Sequence, residues 1–189
     1  NTYNGNCQNL STLQADEVTA PISQLDYLEV FNRNTIFFNG TVGGYYSQPY
    51  IAVYRSNYLL ENVDLISDIT VEDKNRMTAE ARFIRVLCHF DLVRLFAHPY
   101  GYTSDNSHNG IIIKTSTNPD PKPRNSVGEV YDFMISELID ISNLLPGNNG
   151  NYANKFAAHA LLAKIYFQTN QLDLAINQTN EVINSGIYE

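Results

Sequence analysis

Asp105-Asn106-Ser107-His108-Asn109-Gly110 sets oxygen-bearing side chains at positions 1, 3 and 5 and a glycine at 6. A calcium-binding helix–loop–helix loop begins that way. Ser116 stands where such a loop needs a bidentate glutamate, and no helix closely precedes the segment, so a turn is expected. Arg82, Arg85 and His89 fall at i, i+3 and i+7, and with Arg94 they could gather an anion. On the outer face of a helix packed in a repeat, they are expected to pair with acids on a neighbouring helix, such as Glu80 or Asp91. His159, inside an apolar helical pattern, reads as a core or edge histidine. There is no His-Glu-x-x-His, no Cys-x-x-Cys, no nucleophile elbow and no phosphate loop. The 20 acids include no pair whose spacing marks it for glycoside hydrolysis. No catalytic residue, cofactor or metal is assigned.

The elements that would carry these groups are helices. A short helix is expected near Ser23–Asn32. A long one is expected from Pro49 to Ile66, with Pro49 in the first turn, where its missing N–H costs nothing. Its apolar positions Tyr50, Val53, Tyr54, Tyr58 and Leu65 recur near helical spacing. The next opens at Thr70-Val71-Glu72-Asp73, which resembles a capping box, and runs through Ala81, Ile84, Cys88, Leu92 and Leu95. Residues 97–125 form a connection long enough to be a functional candidate, interrupted by Ile111-Ile112-Ile113, which should return to the core. Ser126 and Glu129 make a complete capping box for a helix carrying Val130, Met134, Leu138, Ile141 and Leu145, stopped by Pro146-Gly147. A fourth long helix, near Ala153–Gln168, is expected to bury Ala157, Ala160 and Ala163. A fifth, near Gln171–Ser185, should end with Gly186 at the C′ position.

Composition narrows the function classes. The 189 residues carry 12 Lys+Arg against 20 Asp+Glu, a net charge of -8, which leaves no basic excess for nucleic acid. Hydrophobic residues at 43% are ample for a packed core, and no run is long and apolar enough to span a bilayer as a helix. Only 17% of residues are charged, below the usual quarter, while Asn reaches 23 and Tyr 13. Two cysteines, Cys7 and Cys88, allow one disulfide or two thiols.

Phe156–Glu189 spans 34 residues, the length of one tetratricopeptide unit. Leu162, Ala163, Tyr166 and Ala175 fall where that repeat places Leu, a small residue, Tyr and Ala. One unit cannot bury its own face, so the earlier helices must supply the others. The expected fold is all-α, built of tetratricopeptide-like antiparallel helix pairs with long irregular loops.

Ala79-Glu80-Ala81-Arg82-Phe83-Ile84-Arg85 followed by Phe90-Asp91-Leu92-Val93-Arg94-Leu95-Phe96 resembles the signature helix of SusD/RagB-type outer-membrane nutrient-binding lipoproteins. Gly110-Ile111-Ile112 is similar to that family's Gly-Ile-Pro, with Ile112 in the proline's place. Arg124, Val127, Val130-Tyr131 and Leu138 match its next helix. Ala157, Ala158, Ala160, Leu161, Leu162, Ala163, Tyr166 and Gly186-Ile187-Tyr188 match the following repeat. Tyr54 and Asn57 match its Tyr/Asn helix. The match is good over residues 45–189 and loose before that.

The resemblance implies a single N-terminal helical domain over 1–189, irregular over 1–48 and repetitive over 49–189, within a longer chain. It implies a non-enzyme on the external face of the outer membrane, anchored through a lipid on a cysteine that would precede Asn1. Its partners would be a poly- or oligosaccharide and a TonB-dependent, SusC-like transporter. The implied ligand loop runs from Asn39 to Tyr50 and offers Asn39, Tyr45, Tyr46 and Tyr50, whose rings could stack on sugar C–H faces and whose amide could pair with hydroxyls. Trp, the frequent stacking residue of relatives, is absent from this chain. The alternative is a tetratricopeptide adaptor that binds a protein or peptide partner in a polar-lined helical groove.

Overall fold

The computed structural model describes residues 7–188, with side chains from Asn9 onward. Its described residues form α1 (Cys7–Gln14), α2 (Leu25–Phe31), α3 (Gly40–Asn62), α4 (Val71–Phe96), α5 (Val127–Ser142), α6 (Lys155–Gln168) and α7 (Leu172–Asn184). A short 3-10 turn, Val63–Leu65, follows α3, and no extended strand occurs among these residues. The all-α expectation holds. The chain divides into two compact units, residues 1–51 and 52–189, and α3 runs from the first into the second.

The first unit is more regular than its sequence suggests. Leu10 and Leu13 of α1 and Val30 of α2 are buried, and so is Tyr45 of α3. Arg33 closes the α1–α2 turn by donating to the Gln14 carbonyl and to Asp16. The expected start of α3 at Pro49 is corrected to Gly40, so Pro49 lies inside the helix. The reason is local. Asn39 Oδ1 accepts from Val42 N–H at 2.9 Å, and Asp26 Oδ2 accepts from Thr41 N–H at 2.8 Å. These bonds start the helix and outweigh the low helix propensity of Gly40, Gly43 and Gly44. Cys7 has its side chain outside the described residues, and its pairing with Cys88 lies outside them too.

In the second unit Val53 is buried, but Tyr54, Tyr58 and Leu65 are exposed, so the expected apolar stripe of α3 is only partly a core stripe. Thr70 caps α4, accepting from Asp73 N–H at 3.0 Å. Ser126 caps α5 in the full reciprocal box with Glu129. Contacts run in opposite senses along α4 and α5: Arg82 meets Asp140, Arg85 meets Glu137, and His89 meets Phe133. The two helices are therefore antiparallel. So are α6 and α7, where His159 bonds to Gln178 and Asn154 to Tyr188. Val86, Leu92, Val127, Met134, Leu138, Ile141 and Ile165 form the centre of the core.

The buried side of α6 is Ala158, Leu161, Leu162, Ile165 and Tyr166 rather than the alanines at 157, 160 and 163, which are half-buried. Ala160 and Ala163 line an open groove of about 930 Å³ with Phe90 of α4 and Ile176 and Ile183 of α7. The stripe Leu172, Ile176 and Ile183 is correspondingly exposed, and Ala175 is the buried residue of α7. Gly186 takes a φ of 63° just past α7, as a C′ glycine should.

The excursion between α4 and α5 is tied at its base. Gly110 N–H donates to Asn125 O at 2.7 Å, Asn125 N–H to Ile111 O at 2.9 Å, and Val127 N–H to His108 O at 2.9 Å. Ile111 is 2% exposed, so this segment does return to the core.

Candidate functional site

The four residues expected to contact sugar separate into two kinds. Asn39 is 3% exposed and its amide is committed within the protein. Its Nδ2 donates to the Asp26 carbonyl at 2.9 Å and to Glu29 Oε2 at 2.7 Å, while its Oδ1 caps α3. Tyr45 is 5% exposed, a core ring of the first unit. Asn39 and Tyr45 therefore hold the start of α3 rather than meet solvent. Tyr46 and Tyr50 are one helical turn apart, with ring centroids at 5.2 Å and planes tilted by 58°. Tyr46 is 40% exposed.

Phe37 and Phe38 escaped the sequence reading. They are 95% and 84% exposed, directly before the Asn39 cap, with rings edge to face at 5.2 Å. Two adjacent phenylalanines left in water are unusual, because burial of each would release about 2 kcal/mol. The signal in the sequence was Phe37-Phe38 directly before the asparagine that caps α3, a position where an apolar pair has no helix face to join.

Arg82 and Arg85 form an internal network instead of an anion patch, while Arg94 is exposed with its guanidinium over the Phe90 ring. Arg85 is 6% exposed and His89 is 0% exposed, so the expected outer face is corrected to a buried one. Arg82 and Arg85 do pair with acids of a neighbouring helix, and these are Glu137 and Asp140 of α5. Arg82 grips Glu137 through Nε at 3.1 Å and Nη2 at 2.9 Å, and reaches Asp140 at 3.0 Å. Arg85 Nη2 donates to Glu137 Oε2, the oxygen that Arg82 Nε also uses. Glu80 instead accepts from Arg76 at 2.9 Å and from Asn149 at 2.8 Å. Burial alone would raise the Glu137 pKa, but the guanidiniums of Arg82 and Arg85 outweigh it and hold the carboxyl below its usual range.

His89 is fixed as a neutral ring. Its Nε2 accepts from Lys114 N–H at 3.2 Å, so the proton belongs on Nδ1, which donates to Arg85 O at 2.7 Å. Burial pushes its pKa down to about 4, the Arg85 charge adds to this, and the bond to the Arg85 carbonyl opposes it. His159 gives Nδ1 to Gln178 at 2.6 Å, while its buried Nε2 has no partner among the described residues.

The calcium-like segment is a turn. Asp105 Oδ1 accepts from Ser107 N–H at 3.1 Å, and Asn106, at a φ of 55°, takes Gly101 N–H on its Oδ1. The Ser116 carbonyl, at the twelfth position, accepts from Asn57 at 3.1 Å. The groove beside α6 and α7 is lined mainly by apolar side chains, whereas an adaptor groove was expected to be polar.

Residues 3–167 match a SusD-like family described as starch-binding and associating with the outer membrane. The chain belongs to the SusD-like family. It is 32% identical over 153 residues to SusD-like protein P2 of Formosa agariphila, which covers 78% of this chain and 28% of that one. It is 26% identical over 141 residues to SusD-like protein P25 of the same organism, covering 72% and 25%. A crystal structure of a SusD superfamily protein from Bacteroides thetaiotaomicron superposes with a TM-score of 0.75 at 28% identity, covering 84% of this chain and 36% of that one. The chain thus spans about a quarter to a third of the length of these SusD-like relatives.

Proposed function

We propose that this SusD-like chain takes part in non-catalytic glycan binding at the outer face of the outer membrane, handing its ligand to a TonB-dependent, SusC-like transporter. The family match over residues 3–167 carries the proposal. The solvent-facing rings around the start of α3 support it. Phe37, Phe38 and Tyr46 supply flat apolar surfaces of the kind that stack on sugar C–H faces, with the half-buried Tyr50 ring against Tyr46. Asn39 and Tyr45 enter the proposal as the residues that hold these rings in place. A low charge density suits neutral, hydroxyl-rich ligands, since no strong local field would be needed to hold them.

A glycan array on the intact protein, followed by calorimetry on the best ligand, tests the proposal. Substitution of Phe37, Phe38 or Tyr46 by alanine should weaken binding with no change in helical content. Absence of binding to every polysaccharide, with clear binding to a peptide, would favour the adaptor reading instead.

A further inference from the structure

The excursion between α4 and α5 builds a cleft that the glycan proposal does not use. It encloses about 730 Å³ between Phe96, His98, Ser107, His108, Asn109 and Arg124. Arg124 is anchored by three donations to main-chain carbonyls: Nε to Gly110 O at 2.5 Å, and Nη2 to Phe96 O at 2.9 Å and Asn109 O at 3.3 Å. These use one face of the guanidinium and leave the Nη1 donors over. No carboxylate among the described residues pairs with Arg124. In a chain of net charge -8, an immobilised arginine without an acid partner is against the general balance.

Beside it stands a ring cluster. His98 stacks on Tyr102 with centroids at 4.1 Å and planes within 8°. His108 closes the corner, 5.3 Å from the Tyr102 ring, and is held by Thr103 Oγ1 at 2.9 Å. Tyr102 is 61% exposed, so much of its ring is open to solvent. The nearby acid, Asp105, is engaged with its own turn through Ser107 and Thr103 and does not line the cleft.

We propose that this cleft binds an anionic saccharide, the acid group pairing with Arg124 Nη1 and the sugar ring lying against His98, whose ring the stacked Tyr102 holds in place at the cleft edge. The guanidinium supplies a fixed charge-assisted donor, which costs little ordering on binding because Nε and Nη2 are already held. Ser107 and Asn109 add hydroxyl and amide groups at the wall. A free inorganic anion would use the arginine but gain nothing from the rings. A neutral sugar would use the rings but leave the charge unanswered. A carboxylate and a sulfate ester share the chemistry that satisfies both.

The inference rests on the glycan reading only for the choice of saccharide, and the test separates the two. Calorimetry on the intact protein would use three probes: a galacturonate tetrasaccharide, a sulfated galactose oligosaccharide and its neutral counterpart. At least one acidic probe should bind about tenfold more tightly than the neutral one, and the difference should shrink in high salt. Tyr102→Ala and His98→Ala should each weaken the acidic probe about tenfold. Arg124→Gln, with circular dichroism to confirm the helices, should remove the preference for acid. Equal binding of acidic and neutral probes overturns the inference, as does acidic binding indifferent to Tyr102→Ala. Neutral binding that is lost with Tyr46→Ala, with no acidic binding at all, would overturn the cleft and leave the glycan proposal standing. Failure of all three probes together with an empty glycan array would overturn both.

Discussion

Arg85 Nη1 donates to Asn57 Oδ1 at 2.9 Å, and neither residue is more than 6% exposed. The same Asn57 gives its Nδ2 to the carbonyls of Lys114 at 3.2 Å and Ser116 at 3.1 Å. One amide thus joins α3, α4 and the excursion. Asn57→Ala should strip three hydrogen bonds and leave a buried guanidinium and two carbonyls short of partners. A loss of about 2–4 kcal/mol in urea unfolding is expected. A change below about 0.5 kcal/mol would mean that water replaces the amide without loss.

Glu137 is shared by Arg82 and Arg85. Removing its charge as Glu137→Gln strands buried positive charge, at a cost of about 3 kcal/mol. Glu137→Gln combined with Arg85→Met should recover part of that loss, because the stranded charge goes with it. A double-mutant cycle with no coupling would show that the two groups do not depend on each other.

His89 makes stability depend on pH. Its folded pKa is about 4 against an ordinary 6.5. Between those values the unfolded chain binds the extra proton and the folded chain does not. The His89 contribution is therefore fully present above about pH 6.5 and falls as pH drops towards 4, by about 3 kcal/mol in all. Unfolding midpoints across this range should show the decline, and His89→Gln should flatten it. Glu137, with its lowered pKa, acts with the same sign at lower pH, so the variant comparison isolates the histidine.

Gly110 is a steric requirement. A Cβ there would come within 3.0 Å of Asn125 O and of the Ser126 carbonyl group, all main chain. Gly110→Ala should cost about 1–3 kcal/mol by pushing apart the bonded base of the excursion. Gly150→Ala meets no such neighbour but sits at a φ of 56°, and should cost about 1 kcal/mol through backbone strain alone. Thermal unfolding of the two variants separates crowding from strain.

How legible was this molecule in its sequence? Elements whose ends are written in side chains were read well: Ser126 with Glu129, Thr70 with Asp73, and Gly186 past α7 all act as expected. The start of α3 was not, because three glycines and a proline argue against helix locally. The bonds that override them come from Asp26 and Glu29, ten or more residues upstream. Arg85 and His89 looked solvated because charge normally marks an outer face. Only the packing of α5, which brings Glu137, shows that they are interior. Of the expected ligand residues, Tyr46 has the exposure that contact with a ligand requires, whereas Asn39 is spent on capping. An asparagine before Gly-Thr-Val can serve either purpose, and sequence alone does not distinguish them.

The bonds that tie Gly110 to Asn125 and His108 to Val127 divide a long excursion into two independent loops. Closing each costs less chain entropy than closing the whole, since the cost grows with loop length. The outer loop, residues 112–124, is pinned to α3 and α4 through Lys114, Ser116 and Thr117, so it is the stretch 118–123 that can be lengthened, shortened or recoded without disturbing how α4 meets α5. A scaffold with such a detachable edge can change what it recognises while its folding stays the same.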